Sequence, residues 1–190
     1  MASQDLSAAS TPHGFGAGSH LANYLLEEQI GEGGMAVVFR ARDERLGRTV
    51  ALKILAPALA ADEAFRQRFS RESRAAAAVD DPHILPVFEA GEADGVLFIA
   101  MRFVRGGDVR GLIRRNGRIA AARAVGIVSQ AASGLDAAHE HGLVHRDVKP
   151  ANMLLDERSN VGGDFDHVYL SDFGLSKASM HTTGLTGTGM

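Results

Sequence analysis

Apolar positions along the chain switch between short strand-like runs and helical spacing, and each change of period marks a new kind of element. Between Tyr24 and Leu55 they come in short runs. Tyr24-Leu25-Leu26 leads into Ile30, Val37-Val38-Phe39 is β-branched and aromatic, and Thr49 to Leu55 is a third run. Gly31-Glu32-Gly33-Gly34 and Leu46-Gly47 separate them. This spacing predicts a three-stranded antiparallel meander. From 62 to 79 the period becomes helical: Asp62 is placed to cap the start, and Phe65 and Phe69 share a face that Glu72 and Ala76 extend. Asp81-Pro82 ends that helix. Two more strands are expected, Ile84 to Phe88 and Val96 to Met101, joined by a turn at Gly91 to Gly95.

After Gly106-Gly107 the helical period dominates. Val125, Val128, Ala132, Leu135 and Ala138 recur at spacings of three and four and predict one apolar stripe on a helix over 120–140, closed by His141-Gly142. Short strands are expected at Met153 to Leu155 and Val168 to Leu170. Residues 1–20 carry few large apolar side chains and read as a flexible leader, and the Gly/Thr/Ser-rich stretch from Ser176 to Met190 reads as mobile. The expected organisation is α+β in two lobes: a leader over 1–20, a β-rich lobe with one helix over 21–104, and a mainly helical lobe over 105–190.

Composition narrows the function classes. The chain has 190 residues, 45% apolar and 23% charged, with a formal net charge of −3. That excludes collagen-like and wholly disordered chains and disfavours coating of nucleic acid. Cysteine is absent, so disulfides, thiolate zinc sites and a cysteine nucleophile are excluded. No apolar run reaches the roughly 20 residues that span a bilayer. The start lacks a signal-peptide pattern, so the segment is expected to be cytoplasmic.

Four motifs carry chemistry. His145-Arg146-Asp147-Val148-Lys149-Pro150-Ala151-Asn152 sets a carboxylate, an ammonium and an amide oxygen along one loop. That set suits phosphoryl transfer: Asp147 to take or orient a hydroxyl proton, Lys149 to neutralise the transferring group, Asn152 to ligate Mg²⁺. Asp172-Phe173-Gly174 follows a strand end and offers a second Mg²⁺ ligand. Gly31-Glu32-Gly33-Gly34-Met35-Ala36 precedes a strand, not a helix, and lacks Gly-Lys-Ser/Thr, so it is neither a dinucleotide fingerprint nor a Walker loop. It reads as a glycine-rich hairpin whose backbone closes over phosphates. Lys53 in the apolar run Val50-Ala51-Leu52-Lys53 needs a matching charge, and Glu72 on an otherwise apolar helix face is the candidate. Each motif alone also fits a solvated turn or an ordinary surface charge.

Together the motifs resemble the eukaryotic-like (Hanks-type) bacterial serine/threonine protein kinases, from about Tyr24 to Met190. The resemblance implies a protein-kinase-like bilobal fold, with a five-stranded antiparallel first lobe carrying one helix and an incomplete helical second lobe. It implies ATP and Mg²⁺ as cofactors and protein Ser/Thr hydroxyls as substrates. Gly31, Gly33 and Gly34 would cover the phosphates, and Lys53, held by Glu72, would bind them. Asp147 and Lys149 would serve catalysis, and Asn152 and Asp172 would bind the metal. Adenine would lie among Ile30, Val38, Ala51, Met101 and Leu154, with the Arg102–Val104 backbone bonding the base. Arg146 implies activation by phosphorylation, with Thr186 and Thr188 as the candidate sites and a homodimer for trans-autophosphorylation.

The chain departs from the family at Ala36, where a third glycine is usual, and at Arg102, where many members carry Glu. It also reaches only into the activation segment, so an incomplete substrate half is expected, with the stripe at Val125, Val128 and Leu135 partly exposed. Two alternatives stay open: a catalytically inactive truncated fragment that acts as a nucleotide-binding or regulatory module, and a small-molecule phosphotransferase of related fold.

Overall fold

The computed structural model describes residues 14–156 and 167–173. They fall into two compact units, one running to Arg66 and including Phe88–Phe103, the other formed by Gln67–Val87 and the residues from Val104 onward.

The first unit is built on an antiparallel sheet. Its strands are β1 (His20–Leu21), β2 (Tyr24–Gly33), β3 (Ala36–Asp43), β4 (Arg48–Leu55), β5 (Val87–Ala93) and β6 (Val96–Arg102), in the order β1-β2-β3-β4-β6-β5. The predicted meander is β2-β3-β4. The sheet has one strand more than the five expected, because Ala22 takes a left-handed φ of +50° and folds His20-Leu21 back onto Tyr24-Leu25. Phe15, within the stretch read as leader, packs against the core. At Asp94-Gly95 both residues have positive φ, +49° and +74°, the handedness a two-residue hairpin turn requires. β5 starts at Val87, later than predicted. Ile84 and Leu85 instead pair with Leu170, and Pro86, which has no N–H, separates them from β5.

Strand alternation sorts the side chains. Val37, Phe39 and Ala41 of β3, Val50, Leu52 and Ile54 of β4, and Phe98 and Ala100 of β6 form one core with Leu21, Tyr24 and Leu26. Each large side chain buried there contributes about 1.5–3 kcal/mol. The Tyr24 ring meets Phe98 edge-on at 5.8 Å, and its hydroxyl donates to Glu89 at 2.5 Å. Burial and the Glu89 carboxylate push the Tyr24 phenol well above its ordinary pKa. From Val50 to Leu55 every residue of β4 is buried, so this strand has no solvent face. A short helix, α1 (Pro57–Ala60), not foreseen from the sequence, follows it with Pro57 at the first position.

Helix α2 (Glu63–Ala78) starts as predicted, with the Asp62 carboxylate accepting from the Phe65 N–H at 3.1 Å. Its buried positions are Phe65, Phe69, Ser73 and Ala76.

The second unit joins α3 (Val109–Asn116) and α4 (Ala121–Glu140) to a two-stranded sheet of β7 (Met153–Asp156) and β8 (His167–Leu170). A 3₁₀ turn, Pro150–Asn152, leads into β7. α4 packs on β8, and α3 packs on the 3₁₀ turn and β7. The predicted stripe on α4 is partly exposed, as expected, but the buried face is centred on neighbouring positions. The buried positions are Ile127, Ala131, Gly134 and Ala138, whereas Val125 and Val128 are 64% and 60% exposed. Leu135 is half-buried against the core. Alanine and glycine line so much of this helix that hydrophobicity alone does not choose a side. Close packing at Gly134 does: a Cβ there would lie 3.0 Å from the His83 carbonyl oxygen, so a larger residue would need the His83 segment to shift by a few tenths of an ångström.

Candidate functional site

In the first unit, β2 and β3 converge on a tight tip. Gly33 pairs with Ala36, which leaves Gly34-Met35 as the turn, and two register irregularities in β2 re-aim the strand just before it. Gly31 stands opposite Val38, Val38 opposite Lys53, and Lys53 opposite Ile99. Ala51 stands opposite Met101. By alternation these side chains share the sheet face that the Phe39 core does not use. Lys53 is only 8% exposed, and Ala51 and Met101 are also buried; Ile30 is 44% exposed. An ammonium this deep in an apolar strand is costly unless partnered.

Val104 and Leu154, both half-buried, belong to the second unit, as does Glu72. The Glu72 carboxylate lies 3.4 Å from the Arg146 guanidinium.

The loop from His145 to Asn152 is held by a dense set of bonds. The ammonium of Lys149 donates to Asp147 Oδ2 at 2.6 Å. The Asn152 amide nitrogen donates to the Asp147 carbonyl at 2.9 Å and to its Oδ2 at 3.4 Å. Asp147, whose side chain is 12% exposed, thus has its backbone and carboxylate fixed by two neighbours. Since the Asn152 nitrogen is committed to donating, its amide oxygen is the atom suited to a cation.

The same loop is tied to the end of β8. The Ser171 N–H donates to the Asn152 carbonyl at 2.9 Å, and its hydroxyl reaches the same oxygen at 3.3 Å. His145, 1% exposed, bonds the Ser171 carbonyl through Nε2 at 2.9 Å, and its Nδ1 accepts the Asp147 N–H at 3.3 Å. One tautomer, protonated at Nε2, satisfies both contacts. The His145 ring also packs on Phe173 at 4.6 Å. Asp172 sits between these anchors with a left-handed φ of +64°, and Arg146 is similarly left-handed at +61°. Two non-glycine residues in that region are held there by their surroundings.

Asn152 and Asp172 are therefore joined through Ser171. The described residues contain no group of three or more His, Cys, Asp or Glu that could hold a metal. Two oxygen donors are what Mg²⁺ takes from a protein when phosphates and water fill its other positions, so the pair fits that ion. The structure brings Asp147, Lys149, Asn152 and Asp172 into one bonded assembly. It brings Gly31, Val38 and Lys53 into one row of the other unit. Thr186 and Thr188 lie outside the described residues. Sequence reasoning gave no role to His145, Ser171 or Phe173. A histidine after the apolar Leu143-Val144 was the available signal for a buried, structural imidazole.

Comparison with known proteins agrees with this geometry. A family model described as the protein kinase domain matches residues 24–188. The chain is 46% identical over 177 residues to the serine/threonine-protein kinase PknJ of Mycobacterium tuberculosis, covering 93% of this chain and 29% of that protein. It is 43% identical over 162 residues to the kinase PknE of the same species, covering 85% of this chain and 27% of that protein. Among solved structures, the kinase domain of M. tuberculosis PknI superposes with a TM-score of 0.72 at 38% identity, over 85% of this chain and 64% of that one. The chain thus spans less than a third of the curated relatives it matches.

Proposed function

Because the chain belongs to the protein kinase family, we propose that it transfers the γ-phosphoryl group of ATP to serine or threonine hydroxyls of proteins. The observation that carries this is the Lys149–Asp147–Asn152 assembly with its 2.6 Å and 2.9 Å bonds. The Asp147 carboxylate orients the acceptor hydroxyl and takes its proton. The acceptor oxygen bonds to the γ-phosphorus as the bond to the β–γ bridging oxygen breaks, and ADP leaves. Lys149, charged and bonded to Asp147, neutralises the phosphoryl oxygens as they pass between the two. Mg²⁺ held by Asn152 and Asp172 would supply charge neutralisation on the phosphates.

In this reading Gly31, Gly33 and Gly34 cover the phosphates and Lys53 binds them. Ile30, Val38, Ala51 and Met101 hold the adenine. Thr186 and Thr188 are autophosphorylated, between two copies of the chain.

The test is phosphoryl transfer from labelled ATP to a Ser/Thr-rich protein, with wild type, Asp147→Asn and Lys53→Met compared. Asp147→Asn is expected to lower kcat by about 10²–10⁴ while nucleotide affinity holds. Lys53→Met is expected to weaken the transfer as well. Undiminished transfer by Asp147→Asn would overturn the assignment. Nucleotide binding without transfer in wild type would favour the regulatory-module reading. Mass spectrometry of active protein is expected to find phosphate on Thr186 or Thr188.

A further inference from the structure

The segment from Arg105 to Arg118 carries five arginines and one acid, Asp108, in a chain whose net charge is −3. Asp108 is already engaged: it caps α3, accepting the Gly111 N–H at 2.6 Å. Val109 and Leu112 face inward, while Arg105, Arg110, Arg114, Arg115 and Arg118 are exposed. Arg105, Arg110, Arg114 and Arg118 form no ion pair with any described residue. Arg115 folds back over Gly111, its Nη1 3.3 Å from where a Cβ would stand.

Helix stability accounts for only part of this. Arg114 and Arg115 lie in the last turn, where cations complement the helix dipole. Arg110 lies in the first turn, where a cation opposes it. Arg110 and Arg114 are one turn apart on the outward face.

The position of α3 gives this face a use. α3 packs on the 3₁₀ turn that carries Asn152, and Asn152 is bonded to Asp147. A helix is about 10–12 Å across, a distance an extended peptide covers in roughly three to four residues. We infer that the exposed arginines of α3, chiefly Arg110 and Arg114, bind acidic residues that flank the acceptor hydroxyl of the protein substrate. This rests on the kinase reading above. A long polyanion fits less well, because the rest of the chain is net acidic and repels it.

The experiment compares, in the full chain, peptides sharing one threonine and differing only in flanking Glu, Gln or Lys. Arg110→Glu/Arg114→Glu is measured beside wild type. Wild type is expected to favour the Glu peptide over the Lys peptide by roughly five- to tenfold in kcat/KM at low salt, and the preference is expected to shrink in high salt. The charge-reversed variant is expected to lose or invert that order with its kcat on the Gln peptide unchanged. Equal use of all three peptides by wild type, or an unaltered order in the variant, overturns the inference. If no peptide is phosphorylated, the kinase reading has failed, and anisotropy with a fluorescent Glu-flanked peptide bearing alanine for threonine decides this one. Binding lost in the variant supports it, and no binding by wild type ends it. Tighter binding of single-stranded DNA than of the Glu peptide would reassign the face to polyanions.

Discussion

The His145 imidazole and the Ser171 carbonyl, 2.9 Å apart, tie the loop that carries Asp147 to the strand end that carries Asp172. With both ring nitrogens bonded and the ring on Phe173, His145 acts as a rivet between the Asp147 loop and the strand end before Asp172. His145→Ala is expected to cost about 2–4 kcal/mol of stability, since it opens a cavity and leaves two backbone groups unpaired. His145→Phe keeps a ring against Phe173 but loses both hydrogen bonds, and should cost less. Denaturant titration of both variants measures this. Equal stability to wild type would show that the rivet is dispensable.

Removing the Asp172 carboxylate should separate metal from nucleotide. In Asp172→Ala, Mg²⁺-dependent ATP binding and turnover are expected to vanish while the fold holds, because the side chain makes its contribution outside the core clusters. Calorimetry of ATP binding with and without Mg²⁺, and the same with EDTA on wild type, reads this directly. Retained Mg²⁺-dependent turnover would remove the metal role.

Gly134 offers a case of two opposed effects. Replacing a mid-helix glycine with alanine usually gains about 1 kcal/mol. Here the new Cβ would meet the His83 carbonyl at 3.0 Å, and a backbone contact of that kind costs about 1–3 kcal/mol. Gly134→Ala is therefore expected to fall between neutral and about 2 kcal/mol destabilising. A stabilised variant would show that the His83 segment yields.

Asp43 should make the first unit sensitive to acid. Burial alone would raise its pKa, but the Leu46 N–H, the Arg48 guanidinium and the Asn23 amide outweigh burial and hold the carboxyl below its ordinary range. A carboxyl whose folded pKa lies below its unfolded one, about 3.9, contributes stability above that value and loses it as pH falls through the folded pKa. The Tm gap between wild type and Asp43→Asn is expected to be widest near neutrality and to close below about pH 4. A gap independent of pH would mean that Asp43 acts through packing alone.

Much of the architecture was legible because its signals are local. The meander follows from β-branched runs and glycine turns, and the start of α2 from Asp62. The loop from His145 to Asn152 was legible as chemistry because three functional groups fall within six residues. What the sequence hid depends on partners distant along the chain. The buried face of α4 is chosen by the approach of His83 to Gly134, and Ala- and Gly-rich sequence gives no contrast from which to read it. His145 looked inert because its partners, Ser171 and Phe173, are 26 and 28 residues away. Arg146 bonds Glu72 across 74 residues, a pairing no spacing rule suggests.

β4 leaves no residue between Val50 and Leu55 facing water. Over generations such a strand has almost no silent positions: a change on one side disturbs the Phe39 core, and a change on the other disturbs the row that holds Lys53. Sequence drift in this unit is therefore channelled to the exposed positions of β2 and β5. The same asymmetry tells a protein engineer where a label, a tag or a surface charge will be tolerated.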